Sequence, residues 1–283
     1  MTYVITLLAH PHKEKLTRER VQMVCAALSM KNIEVVSEQW LAEGAACELQ
    51  VSNEPDMAEI LRGTQIDSIT QPFPKPKYKL LIADMDSTMI TCECVDELAD
   101  FVGKKAEVSA ITERAMNGEL GFEEALTERV ALLAGLPETT LQQCYDERVQ
   151  MMPGAKELLA AHKAKGGYAV LVSGGFSFFT SRVRQTLGFD EDHSNQLEVK
   201  DGKLTGRVVL PILGKEAKLA TLQATCTKLS IEPKDVLAVG DGANDLPMLL
   251  AAGMGVAYHA KPTVRAQAKS QINYCDLSAL THL

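Results

Sequence analysis

The chain has 283 residues, of which 46% are hydrophobic, 23% charged and 5% aromatic, with a formal net charge of -8 and a pI near 5.4. This is the make-up of a packed globular protein with one large or two modest domains. An acidic chain without a run of lysine or arginine lacks the basic face that nucleic-acid binding needs, so that class is set aside.

The first element pattern fills about 70 residues. Strands are expected at 3–8, 32–40 and 45–51, an amphipathic helix at 17–30, a short helix at 56–62, and a weakly marked strand at 66–69. The segment Gln71-Pro72-Phe73-Pro74-Lys75-Pro76-Lys77 follows. Its alternating prolines favour extended backbone and resist helix, so 71–77 is read as a linker between a unit at 1–70 and a second at 78–283.

Beyond the linker, residues 78–83 form a continuous apolar run, as expected of a strand buried on both faces of a parallel sheet. Helical segments broken at Gly103, Gly118 and Gly121 fill 94–133. Then come a helix at 155–165, a strand at 168–172, a helix at 176–187 and a hairpin at 197–208 around Asp201-Gly202. A helix at 215–228, a strand at 236–239, a helix at 246–252 and a last short strand at 255–257 complete the pattern. Such alternation predicts an α/β fold with an open, doubly wound, mostly parallel sheet whose ligand sits beyond the carboxyl ends of the strands.

The chemistry-bearing residues fall at those ends. Asp84-Met85-Asp86-Ser87-Thr88 follows the strand at 78–83, Ser173-Gly174-Gly175 that at 168–172, and Gly240-Asp241-Gly242-Ala243-Asn244-Asp245 that at 236–239. Alternate residues share a face, so Asp84 and Asp86 can both turn to one site. Taken singly, each motif also reads as a turn or a helix cap. Their order, each after a buried strand and with Lys218 between the second and the last, separates the catalytic reading from the bland one.

In that order the four motifs resemble those of the haloacid dehalogenase-like phosphatase superfamily. The strings D-M-D-S-T, V-S-G-G-F and V-G-D-G-A-N-D-L-P-M-L are closest to its members that hydrolyse O-phospho-L-serine. The resemblance covers roughly 78–260. It implies a Rossmann-like core with a small helical cap at about 94–150, and hydrolysis of a small phosphorylated metabolite, O-phospho-L-serine foremost, as the last step of serine biosynthesis. Asp84 is then the nucleophile and Asp86 the general acid and base. Mg²⁺ is held by the Asp84 side chain, the Asp86 carbonyl and Asp241, with Asp245 orienting a metal-bound water. Ser173, Gly174 and Lys218 take phosphoryl oxygens, with Asn244 in support. Glu93 and Arg129 match the cap positions for the substrate's ammonium and carboxylate, and Met116 and Phe122 those that exclude water. Read as residues alone, Glu93 and Arg129 are equally solvated surface charges, and Met116 and Phe122 equally core.

The β-α-β-β-α order of the first unit resembles the ACT-like regulatory fold, although its Ala9-His10-Pro11-His12 loop lacks the glycine of ligand-binding examples. A structural or dimerising role, giving a homodimer through this unit, is expected over amino-acid sensing. A related phosphatase or phosphotransferase with another small substrate is the alternative enzyme. The seven scattered cysteines form no disulfide framework and point to a reducing compartment. Cys92 and Cys94, without a second ligand pair, read as packing residues rather than zinc ligands. No secretory leader and no run of ~20 apolar residues is seen, so a cytoplasmic location is expected, with no membrane partner. His10 and His12 read as loop decoration, and His162, His193 and His259 show no evident partner.

Overall fold

A computed structural model describes the chain apart from residues 1, 11, 12, 14, 117 and 118, and apart from the side chains of Met116 and Lys215. The expectations for His12, the Gly118 helix break and the Met116 side chain therefore lie outside the described residues.

The first unit contains β1 (Tyr3–Ala9), α1 (Arg18–Met30), β2 (Val35–Ala42), β3 (Ala46–Val51), α2 (Met57–Ile60) and β4 (Ile66–Pro72). Thr17 caps α1 by accepting the Arg20 N–H, and Asp56 caps α2 through the Ala58 and Glu59 N–H groups. One face of its sheet buries Ile5, Leu7, Leu49 and Val51 against Val21, Val24 and Leu28 of α1. The strand marked weakly in the sequence is a full one. It takes in Gln71 and Pro72, assigned above to the linker, because Pro72 falls at the strand end, past the single pairing with the neighbouring strand, where its missing N–H costs nothing.

The second unit starts with β5 (Leu80–Ala83), all four residues buried. Four helices follow: α3 (Cys94–Phe101), α4 (Lys105–Met116), α5 (Phe122–Ala131) and α6 (Thr139–Arg148). The last was not expected, because its buried stripe is only Thr140, Leu141 and Cys144 among polar residues. Then come α7 (Ala155–Ala164), β6 (Tyr168–Phe176), α8 (Ser177–Leu187), β7 (Glu191–Lys200), β8 (Lys203–Val209), α9 (Lys215–Leu229), β9 (Val236–Gly240), α10 (Leu246–Ala251), β10 (Met254–Tyr258), α11 (Pro262–Arg265) and β11 (Ser270–Ile272). The expected last strand is thus followed by another. Asp201 and Gly202 both adopt positive φ at the hairpin turn, as a two-residue loop requires.

Among the described residues, eleven strands join one mixed sheet in the order β2-β3-β1-β4-β11-β10-β9-β5-β6-β7-β8. From β11 to β7 the strands run parallel. The chain leaves β5 toward β6 on one side and later returns to β9 on the other, so the strand order reverses beside β5, the place where ligands bind in such sheets. Leu81 and Ala83 of β5 face the core shared with α3 and α5, and Leu80 and Ile82 face that of α9 and α10.

The two units are joined at β4 and β11, which pair antiparallel at Ser68 and Gln271. Buried Asp67 accepts three consecutive backbone N–H groups, from Asn273, Tyr274 and Cys275, at 2.8 to 2.9 Å. Leu8, Ala46 and Ile69 share a core with Tyr258, Leu277 and Leu280. Among the described residues no helix is long and apolar enough to cross a membrane. The three histidines read as unpartnered all have one: His162 bonds the Tyr168 carbonyl, His259 that of Cys275, and His193 meets Glu191.

Candidate active site

The tips of β5, β6 and β9 meet in one cleft. The Asp84 N–H donates to the Val239 carbonyl at 3.0 Å, which carries the parallel ladder one step past β5 and fixes Asp84 there. Its Oδ1 accepts the Met85 N–H at 2.8 Å. The chain then turns: the Met89 and Ile90 N–H groups both reach the Met85 carbonyl, and Ser87 takes a φ of 56°. Asp86 is held from two elements. Its Oδ1 accepts the Cys94 N–H at 3.0 Å, and its Oδ2 accepts the Ser173 hydroxyl at 3.3 Å.

Lys218, on the first turn of α9, is 1% exposed and lies between two carboxylates. Its Nζ stands 2.8 Å from Asp84 Oδ1 and 2.6 Å from Asp245 Oδ1. Asp245 Oδ2 accepts the Gly242 N–H at 2.9 Å, and Asp241 Oδ1 accepts the Thr88 hydroxyl at 3.1 Å. One carboxylate oxygen from each of Asp84, Asp241 and Asp245 lies within 4.8 Å of the others.

Burial drives the electrostatics. It pushes Asp84 well above the usual carboxylate range, with Asp245 adding to the push and Lys218 opposing it. Burial, then Glu93, pushes Asp86 up to about 7, against the Cys94 and Ser173 hydrogen bonds that favour its charged form. Burial, then Asp245 and Glu93, pushes Asp241 up to about 7. For Lys218 burial alone would lower the pKa, but Asp245 and Asp84 outweigh it and hold the ammonium charged. Three carboxylates thus share one ammonium, and the site lacks positive charge. A set of hard oxygens with that deficit suits a small divalent cation of the Mg²⁺ or Ca²⁺ kind.

Of the residues expected in a cap, Glu93 N-caps α3 and accepts the Ser87 hydroxyl at 2.7 Å. Half-buried Arg129, on α5, donates from Nε to the Ala125 carbonyl at 3.2 Å. Phe122 opens α5 and lies against Gly174 in the irregular last part of β6. Asn244 folds its amide oxygen over Gly242. Met116 ends α4. Cys94 is buried behind Asp86, consistent with a packing role.

Two residues without an assigned role emerge from the geometry. Thr88 belongs to the D-M-D-S-T string, yet only the fold shows that its hydroxyl reaches the last motif. Asp96 feels both Glu93 and Arg129: burial and Glu93 raise its pKa while Arg129 lowers it. Its position three residues after Glu93, on the same helix face, was the signal available in the sequence.

The arrangement matches a known family. The model of the haloacid dehalogenase-like hydrolases matches residues 81–250, and the chain belongs to that family. A phosphoserine phosphatase of Polaromonas sp. is 48% identical over 230 residues, covering 80% of this chain and 98% of that protein. Among solved structures, a HAD family hydrolase of Salmonella enterica serovar Typhi superposes with a TM-score of 0.86 at 32% identity, over 99% of this chain and 97% of the other. A probable phosphoserine phosphatase of Vibrio cholerae gives 0.80 at 32% identity, over 99% and 84%.

Proposed function

We propose that this protein hydrolyses O-phospho-L-serine to L-serine and phosphate with Mg²⁺ as cofactor. The observation that carries the reading is the buried Lys218 ammonium shared by Asp84 and Asp245, with Asp86 and Ser173 opposite, at the place where the strand order reverses. The 48% identical Polaromonas sp. phosphoserine phosphatase supports the substrate.

Phosphoryl transfer depends on positioning and charge neutralisation. Asp84, Asp241 and the Asp86 carbonyl would hold Mg²⁺, with Asp245 behind them; the bound cation neutralises phosphoryl charge and lowers the pKa of the carboxyls around it. Asp84 attacks phosphorus, and the P–O bond to serine breaks as an aspartyl-phosphate forms. Asp86, whose burial favours the protonated carboxyl, donates a proton to the departing serine oxygen. It then takes a proton from the water that hydrolyses the intermediate. Lys218, the Ser173 hydroxyl and the Gly174 N–H take the phosphoryl oxygens, and Asn244 supports the same loop. The helical cap from α3 to α6 supplies Glu93 for the ammonium, Arg129 for the carboxylate, and Phe122 with Met116 to exclude water.

The first unit reads as an ACT-like domain, as its β1-α1-β2-β3-α2-β4 order supports. Its outermost strand β2 leaves Val36 to Gln39 exposed at the sheet edge, which favours pairing of two copies.

Phosphate release from a panel of phosphorylated metabolites, with Mg²⁺ and then with EDTA, tests the proposal. Phosphoserine should be preferred and EDTA should abolish turnover. Preference for a sugar phosphate would overturn the substrate and leave the mechanism standing.

A further inference from the structure

Behind the Ser173-Gly174-Gly175 turn lies a side chain that the chemistry above does not use. Asn195, on β7, is 2% exposed, although asparagine is mostly found in contact with water. Its Nδ2 donates to the Gly174 carbonyl at 2.8 Å and to the Leu213 carbonyl at 3.2 Å. Its Oδ1 accepts the Leu213 N–H at 2.6 Å. One amide thus ties the end of β6 to the loop that leads into α9 and Lys218. The peptide between Gly174 and Gly175 is held at both ends, since the Gly175 N–H donates to Ser173 Oγ at 2.8 Å.

The two tied loops are also the walls of a notch. A Cβ placed on Gly174 would stand 2.8 Å from Cζ of Phe122, and one on Gly214 3.4 Å from Cδ1 of the same ring. Phe122, the first residue of α5, therefore lies against bare backbone on both sides. Gly214 follows Leu213, the residue that Asn195 grips through both its N–H and its carbonyl.

We propose that Asn195 is a positioning residue for cap closure: it sets the spacing of Gly174 and Gly214 so that Phe122 of the cap seats between them. Through that seat it controls how firmly the cap closes over the amino-acid part of the substrate. The kinetic consequence rests on the phosphoserine reading, whereas the seat itself can be tested without substrate.

Kinetic constants for phosphoserine would be compared among the native chain, Asn195→Ala, Phe122→Ala and the double variant. Loss of three hydrogen bonds to half-buried backbone should raise KM about tenfold while kcat stays within about threefold. Because both residues act through one seat, the double variant should show a KM close to the larger single effect rather than the product of about a hundredfold. A lowered melting temperature with unchanged KM, or multiplying effects, would show a merely structural asparagine and overturn the proposal. Should Asn195→Ala fail to fold, Gly214→Val fills the notch from its other wall, and the same KM rise and non-additivity with Phe122→Ala are expected; an unchanged KM counts against the seat. If the native chain does not turn over phosphoserine, the substrate reading fails and hydrogen exchange of the ligand-free chain decides. Amides of α5 should then exchange about tenfold faster in the variant that folds, while those of β9 keep their protection. Unchanged exchange in α5 would overturn the seat.

Discussion

The Thr88 hydroxyl donates to Asp241 Oδ1 at 3.1 Å and so links the first motif to the last across 153 positions of sequence. It orients one of the carboxylates best placed to hold a cation. Replacing Thr88 with valine keeps the shape and removes the donor. Metal affinity, read as the Mg²⁺ concentration giving half-maximal activity, should weaken on the order of tenfold, and Thr88→Ser should restore most of it.

Asp86 and Asp241 have their carboxyls raised to about 7 in the folded chain, against about 3.9 for a free aspartate. With folded pKa values above the unfolded ones, the folded state binds more protons between those limits. Stability of the metal-free protein therefore falls as pH rises from about 4 to about 7. In EDTA the melting temperature should drop across that window by on the order of 5 °C. Mg²⁺ should restore more at pH 7.5 than at pH 5; equal restoration at both would contradict the assignment.

Lys218 is the only cation bonded to Asp84 and Asp245 among the described residues. Lys218→Met leaves two buried carboxylates without it, a change that costs about 3–5 kcal/mol when a buried pair is broken. Turnover should be lost, and thermal unfolding should show Mg²⁺ recovering part of the stability, since the added cation meets the same deficit.

Arg129 tests substrate capture. Arg129→Ala should raise KM for phosphoserine about 10- to 100-fold, the range for a charge-assisted hydrogen bond, with a smaller change in kcat. Phosphate release from p-nitrophenyl phosphate, which has no carboxylate at that position, should change little. An equal loss on both substrates would place Arg129 in the scaffold instead.

Much of the catalytic reading could be made from the sequence because each motif directly follows a buried apolar strand. Asp84 and Asp241 are found by locating the ends of two such strands. Lys218 could be found only by its place between motifs, since nothing in its neighbours marks a lysine that will be buried. The first half of β7, Glu191-Asp192-His193-Ser194-Asn195, has no apolar residue; it joins the sheet through polar contacts, so no hydrophobic pattern announced it. The same holds for β11 and Asp67. A three-residue strand has too few positions to show alternation, and an aspartate that caps three N–H groups of a distant segment looks like any surface acid.

That Asp67 junction bears on how the gene can be cut. Deleting residues 1–77 would remove the neighbour of β11 together with Leu8, Ala46 and Ile69 from the core they share with Tyr258, Leu277 and Leu280. An open ladder margin beside a bared greasy patch is a template for stacking between copies. Light scattering on warming should show the shortened protein clumping at temperatures where the intact one stays monodisperse.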